Sequence, residues 1–278
     1  MQNIRQLIEA VYSGDKEMEK EEFLGIFSEF IGQLNAGKIR AAQPDGKSWL
    51  VNQWVKKGIL LGFRFGVLQD YSINDSFRYF DKDTYPLRPM GLEDKVRIVP
   101  GGTSIRTGSY VAPGVVIMPP AYVNVGAYVD ADSMIDSHAL VGSCAQIGSR
   151  VHLSAGAQIG GVLEPIGAMP VIIEDDVMVG GNCGVYEGTI VKKGAVLGAG
   201  TILTSSIPVY DLVHEKVIRS EKGQPLIIPE HAVVVPGSRP FTRLPFAARN
   251  NLYLSCAVIV KYRDDRTDDA TRLEDLLR

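Results

Sequence analysis

Sulfur chemistry has little foothold in this sequence. Its 278 residues include 3 cysteines, Cys144, Cys183 and Cys256, which are odd in number, far apart and without CxxC spacing. That excludes a disulfide framework or a cysteine zinc cluster and predicts reduced thiols in a cytoplasmic protein. Histidine is equally scarce at 4. Catalytic zinc needs about three ligands and an open position, so His138 and His152, fourteen residues apart, predict no metal. No run approaches the roughly 18–20 apolar residues of a membrane span, and the opening MQNIRQLIEAVYSGDKEMEKEE is too charged for a signal peptide. An excess of positive charge is also missing: Lys+Arg 29 against Asp+Glu 32 gives a formal charge of −3, so no basic field invites nucleic acid. What is present is 45% hydrophobic residues, ample for a core. The length suits one large domain or two medium ones at roughly 150 residues each.

A six-residue repeat fills the middle of the chain. Stepping by six from Val99 meets Ile105, Val111, Ile117, Val123, Val129, Ile135, Val141, Ile147, Leu153 and Ile159. After a slip of eight across GVLEPIGAMPV, it resumes at Ile173, Val179, Val185, Val191, Leu197 and Leu203. All seventeen positions are Ile, Leu or Val. A helix has period 3.6 and a strand period 2, so neither explains this. Three positions on sits Gly (102, 108, 114, 126, 156, 188, 194, 200) or Asp132, Asp176 and Asn182, types that tolerate positive φ. Four positions on the residue is mostly small. Each hexad therefore reads as a short strand ending in a tight corner. Three hexads close one triangular coil, and stacked coils form three parallel sheets: a hexapeptide β-helix.

The predicted organisation is mainly β. It has a helix-rich or mixed N-terminal domain over 1–95, the β-helix over 96–207 with an excursion loop at 161–172, and a small C-terminal β segment with a tail over 208–278. In the front domain Ile4, Leu7, Ile8 and Val11, then Phe23, Phe27, Phe30, Ile31 and Leu34, recur at helical spacing. SWLVNQWVKKGILLGFRFGVL fits helix then strand, and is left open. LIIPEHAVVVPGS and YLSCAVIVKY read as strands, and RDDRTDDATRLEDLLR as a final helix or frayed tail. The flanks are expected to cap the open ends of the coil.

A fold does not specify a function. Hexapeptide β-helix proteins include trimeric acyltransferases, zinc carbonic anhydrases and the coil domains of sugar nucleotidyltransferases. No GxGTR-like nucleotide loop opens this chain. The words LNAGKIRAAQ, FRYFDK, VRIVPGG, GAYVDADSMIDSHALVGSCAQIG, VHLSAG, IGGVLEP and CAVIVK occur in this order. Together they closely resemble the tetrahydrodipicolinate N-succinyltransferase family of bacterial lysine and diaminopimelate biosynthesis, from about residue 30 to 262. The resemblance implies a left-handed coil, whereas the general crossover rule alone predicts a right-handed one. It also implies succinyl-CoA as co-substrate, with succinyl passing to the amine of the ring-opened dicarboxylate, and a homotrimer with sites between subunits. The related tetrahydrodipicolinate N-acetyltransferases look shorter, with a different front domain. A non-catalytic β-helix scaffold is the third reading.

Carried over by motif, the resemblance makes Arg97 of VRIVPGG a substrate contact, Asp136 of SMIDSHA a catalytic and substrate-binding residue, and Glu187 of GVYEGTIV catalytic. Arg106 is a weaker candidate for the second substrate carboxylate. An Arg fork suits a carboxylate, though Arg97 fits a surface ion pair equally well. Departures from the family pattern are His138, where Trp is usual, and Asn182 and Gly184, where Arg and Glu are common. One extra residue also appears in each of PGGTSIR and MPPAYVN. His138 is the rival base because its pKa suits neutral pH, against a structural histidine. Cys144 and Cys183 read as packing or corner residues. A carboxylate base titrates near 4 and needs burial to raise it. Asp136 lies in the seventh hexad and Glu187 in the fourteenth, which is two coils plus one face. At about 4.8 Å per strand they are roughly 10 Å apart along the axis and on different faces, so a joint site must lie between subunits. Lys216, Arg219, Lys222, Arg239 and Arg243 are candidates for the CoA phosphates, and the excursion for covering the CoA arm.

Overall fold

The computed structural model describes residues 2–221 and 223–264. The expected tail helix and Lys222 lie outside them. The coil is built as the hexads require, with two-residue strands stacked in three sheets whose members are three strands apart in sequence. One face runs from Arg97–Ile98 through Val116–Ile117, Met134–Ile135, His152–Leu153 and Met178–Val179 to Val196–Leu197. The second contains Tyr122–Val123, Leu140–Val141, Gln158–Ile159 and Gly184–Val185, and the third Tyr128–Val129, Gln146–Ile147, Ile172–Ile173 and Ile190–Val191. All of these pairings are parallel, and Met134 lies opposite His152, one coil of 18 residues on. Ile135, Val141, Ile147, Leu153, Ile159, Val179 and Val185 each have 0% exposure and form one continuous core.

The corners show why the third column is Gly, Asp or Asn. Backbone φ is positive at Gly108, Gly114, Gly126 and Gly156, and equally at Asp132 (59°), Asp176 (60°) and Asn182 (56°). His138 (63°), Cys144 (66°) and Arg150 (55°) occupy the same corner column and adopt the same geometry without the residue type that favours it. His138 is thus a corner residue. Its N–H donates to the Pro120 carbonyl (2.5 Å), and its own carbonyl accepts from Gln158 Nε2 (3.0 Å).

Four sequence expectations need correction. The register puts Ile98, not Val99, opposite Ile117, because the extra residue of PGGTSIR lengthens that first side by one. Ile172 already belongs to the next strand, so the excursion spans 160–171. The coil also continues beyond 207. Ile227–Ile228 pairs parallel with Ile190–Val191, and Val233–Val234 with Val196–Leu197. An inserted hairpin, Val209–Asp211 against Lys216–Ile218, hides the continuing period. Lastly, the front domain does not simply cap an end. Its core shares Val125 and Cys144 with the coil corners, so it packs along the coil's flank. The rear segment does close the far end, as Ala232–Pro240 pairs antiparallel with Tyr253–Tyr262 and Val209, Ala257 and Ile259 join the coil core.

Helices α1 (Gln2–Ser13), α2 (Lys20–Asn35) and α3 (Gln53–Phe65) build the front domain. The segment left open resolves as strand Ser48–Val51, then α3, then strand Leu68–Asp70. Ile4, Ile8, Val11, Phe23, Phe27, Phe30 and Leu34 are buried, as their spacing predicts. Gly62 lets α2 and α3 touch, since a Cβ there would stand 2.4 Å from the Phe27 ring. The LNAGKIRAAQ word is the seam between this domain and the coil. Asn35 accepts from Gly108 N–H (2.7 Å) and donates to Thr107 Oγ1 (3.1 Å). Arg40 stacks 3.6 Å from the Tyr128 ring centroid and donates from Nε to Gln146 Oε1 (2.9 Å). Burial pushes the Arg40 guanidinium below its usual range, which such stacking and hydrogen bonding offset.

Two outcomes follow for stability. Ile147→Ala, at a position with 0% exposure, should cost about 2–5 kcal/mol in denaturant unfolding, because a stacked coil cannot collapse around the void. His138→Gly should leave stability within about 1 kcal/mol of wild type, while His138→Val should lower it by roughly 1–2 kcal/mol, since a β-branched residue resists positive φ. Equal stability of the two variants would contradict the corner assignment.

Candidate active site

Asp136 stands one residue past the buried Ile135, at the corner where the first face turns into the second. Its Oδ1 accepts from the Ser137 N–H (2.9 Å), and its Oδ2 lies 3.8 Å from Nε2 of His152. The Asp136 side chain keeps 32% of its surface and that of His152 keeps 15%, so the carboxylate is accessible but backed by an imidazole. In the sequence His152 stands out only as a possible metal ligand. The signal that it belongs beside Asp136 is the coil period, which seats it opposite Met134 one coil on. Arg97 lies on the same face, two strands before Asp136, in register with Val116 and through it Met134, roughly 10 Å away along the axis at sheet spacing.

Glu187 follows the Gly184–Val185 strand of the second face, at its opposite corner. It is exposed, and its carboxylate accepts from the Ser205 N–H (2.8 Å) and from the Ser205 hydroxyl in a short hydrogen bond. Ser205's hydroxyl, then its amide, hold the Glu187 carboxyl below the usual carboxylate range. That is the reverse of the upward shift a neutral-pH base requires. Within one chain Asp136 and Glu187 are separated by two coils and the width of the second face, so they do not meet. A cleft of about 750 Å³ opens beside Glu187, lined by Tyr186, Glu187 and Thr204 of the coil, by the excursion from Gly160 to Met169, and by Ser220, Glu221 and Gly223–Pro225.

The other candidates sit apart. Arg106 is bound into the seam. Its guanidinium pairs with Asp81 of the FRYFDK word and lies 5.4 Å from the centroids of both Phe63 and Tyr85. Gly184 makes room for its neighbour, as a Cβ there would stand 2.4 Å from the Tyr186 ring, and Asn182 is a positive-φ corner. Both departures from the family pattern thus have a local steric reason. Cys144 is fully buried, and burial pushes its thiol up to about 12. Cys183 is buried too, its Sγ 3.1 Å from the Gly198 carbonyl. Both are packing residues. Lys216 is 3.8 Å from Asp211, and Arg239 lies in the Ala232–Pro240 strand. Among the described residues no three His, Cys, Asp or Glu side chains gather where they could hold a metal ion, and no helix is long and apolar enough to cross a membrane.

Comparison with known proteins meets this geometry from the other side. Residues 3–65 match the family described as tetrahydrodipicolinate N-succinyltransferase N-terminal, and residues 170–205 match the hexapeptide repeat of succinyl-transferase. A 2,3,4,5-tetrahydropyridine-2,6-dicarboxylate N-succinyltransferase of Chromobacterium violaceum is 41% identical over 100% of this chain and 99% of its own. Those of Ehrlichia ruminantium (42%, covering 91% and 87%) and Rhodopseudomonas palustris (44%, covering 88% and 86%) are similarly close. With relatedness running the full length of the coil, the docked front domain and the rear strands, the chain belongs to the tetrahydrodipicolinate N-succinyltransferase family.

Proposed function

We propose that this protein transfers succinyl from succinyl-CoA to the amine of ring-opened tetrahydrodipicolinate, forming N-succinyl-2-amino-6-ketopimelate for diaminopimelate and lysine biosynthesis. The observation that carries the reading is identity of 41% sustained over the whole chain with an N-succinyltransferase. The coil is taken as left-handed, as in the family, the location as cytoplasmic, and the organisation as three parts: front domain, coil and rear segment.

The chemistry requires a base for the amine proton, a held thioester and a site that orients both. The amine nitrogen attacks the thioester carbonyl, the C–N bond forms, the C–S bond breaks, and CoA leaves as a thiol. Asp136, its outer oxygen backed by His152, receives the amine proton and returns it to the departing thiolate. Glu187, kept ionised by Ser205, orients the amine as an acceptor. Arg97 pairs with a substrate carboxylate on the Asp136 face. Arg106 would have to give up Asp81 to take the second, which makes it the lesser candidate. The cleft beside Glu187 and its excursion wall take the acyl-CoA arm. Because the two carboxylates occupy different faces, a complete site joins the Asp136 face of one subunit to the Glu187 corner of its neighbour in a homotrimer.

Donor choice separates this reading from an N-acetyltransferase. Succinyl-CoA should give a specificity constant at least about tenfold above acetyl-CoA, since the donor's terminal carboxylate is an extra charged contact. Equal constants in a thiol-release assay would move the assignment to acetyl transfer, and no turnover with either would favour the scaffold reading.

The shared site has its own test. Asp136→Asn should lower turnover by about 10²–10⁴, and Glu187→Gln should also impair it, with the trimer intact by sedimentation. Mixing the two variants and allowing subunit exchange should restore activity, because some interfaces then hold an intact Asp136 facing an intact Glu187. Verified exchange without rescue would overturn the shared site. Full activity of Asp136→Asn would overturn the base assignment.

A further inference from the structure

Lys56, in the first turn of α3, has 0% exposure. A buried ammonium is costly unless its donors are satisfied, yet among the described residues no carboxylate pairs with it. Its neighbour Cys144 supplies no counter-charge, for that thiol is pushed up to about 12 and stays neutral. The Lys56 ammonium instead crosses from the front domain to the excursion and donates to the Ala168 carbonyl at 2.6 Å.

Two further contacts give that bond a consequence. Leu163, near the start of the excursion, packs against the front-domain core, the cluster that contains Phe30, Val55 and Ile59. The next residue after Ala168, Met169, presents its carbonyl to Gly188 so closely that a Cβ there would stand 2.5 Å away. Gly188 is the residue after Glu187. Ala168 and Met169 also line the cleft. A charged hydrogen bond in a water-poor setting is stronger than a neutral one and directional, so it can hold a loop that has no ladder of its own.

We propose that Lys56 is a positioning residue whose buried ammonium straps the excursion to the front domain and so sets the cleft wall beside Glu187. The front domain thereby contributes to acyl-donor binding without touching the donor. The kinetic part of this inference rests on the reading of the cleft as the acyl-CoA channel, while the structural part does not.

The test is Lys56→Met in the full-length protein, which keeps the stem and removes the ammonium. Lys57→Met on the adjacent position serves as control. Amide exchange across 161–169 should quicken at least about tenfold, while α1, α2 and the coil strands keep their protection. The KM for succinyl-CoA should rise about five- to tenfold, with kcat and the acceptor KM within about twofold. If Lys56→Met fails to fold, Leu163→Ala loosens the same loop from its own side and should show the same pattern at smaller amplitude. Unchanged exchange in the excursion, or equal loss of protection throughout the front domain, would overturn the strap. Faster loop exchange in a protein whose wild type transfers no succinyl would uphold the strap and defeat the functional reading.

Discussion

Everything in this molecule depends on the corner. A two-residue strand is too short to hold itself together. The coil persists because each corner turns the chain, largely through a left-handed residue, and three corners bring it beneath an earlier strand. There strand amides such as Tyr128 and Met134 find carbonyls one coil away, while corner amides such as Ala139 bond within the corner. The inward Ile, Leu and Val then stack into one continuous core. Where the corner is Gly, the geometry is unstrained. Where it is His138, Cys144 or Arg150, the surrounding ladder imposes it.

The same regularity disperses the chemistry. A rigid prism places outward side chains on fixed faces at fixed heights, so two residues distant in hexad count cannot approach one another by bending the fold. Asp136 and Glu187 lie at opposite corners of the second face and two coils apart. A prism can bring such groups together only by packing against a copy of itself, so the shared site proposed above would give assembly a catalytic reason. The environments of the two carboxylates differ accordingly. Asp136 is partly shielded and backed by His152, whereas Glu187 is exposed and held ionised by Ser205.

The front domain has a more active part than a cap. Arg40, Asn35 and Arg106 fasten it to the coil's flank through ring stacking, backbone hydrogen bonds and an ion pair. From that position Lys56 reaches the excursion that interrupts the hexads between Ile159 and Ile172. A segment that leaves the coil loses its hydrogen-bond ladder and would be free to move. Contacts from the front domain hold it where it walls the cleft beside Glu187.

The sequence by itself determined the coil, because a six-residue period has no competing explanation, and it placed Asp136 and Glu187 on different faces by counting alone. It also located the excursion and the buried faces of α1 and α2. It misjudged the first register position at Val99 and the end of the coil near 207, because one inserted residue and one inserted hairpin shift the phase without changing the physics. The coil period held the signal that seats His152 beside Asp136, but nothing in the sequence could reveal that Arg106 is committed to Asp81 or that Lys56 reaches Ala168. Each of those contacts joins residues from separate turns of the coil or from separate domains. Periodicity reports which way a side chain faces, but only the packed tertiary structure decides what it meets there.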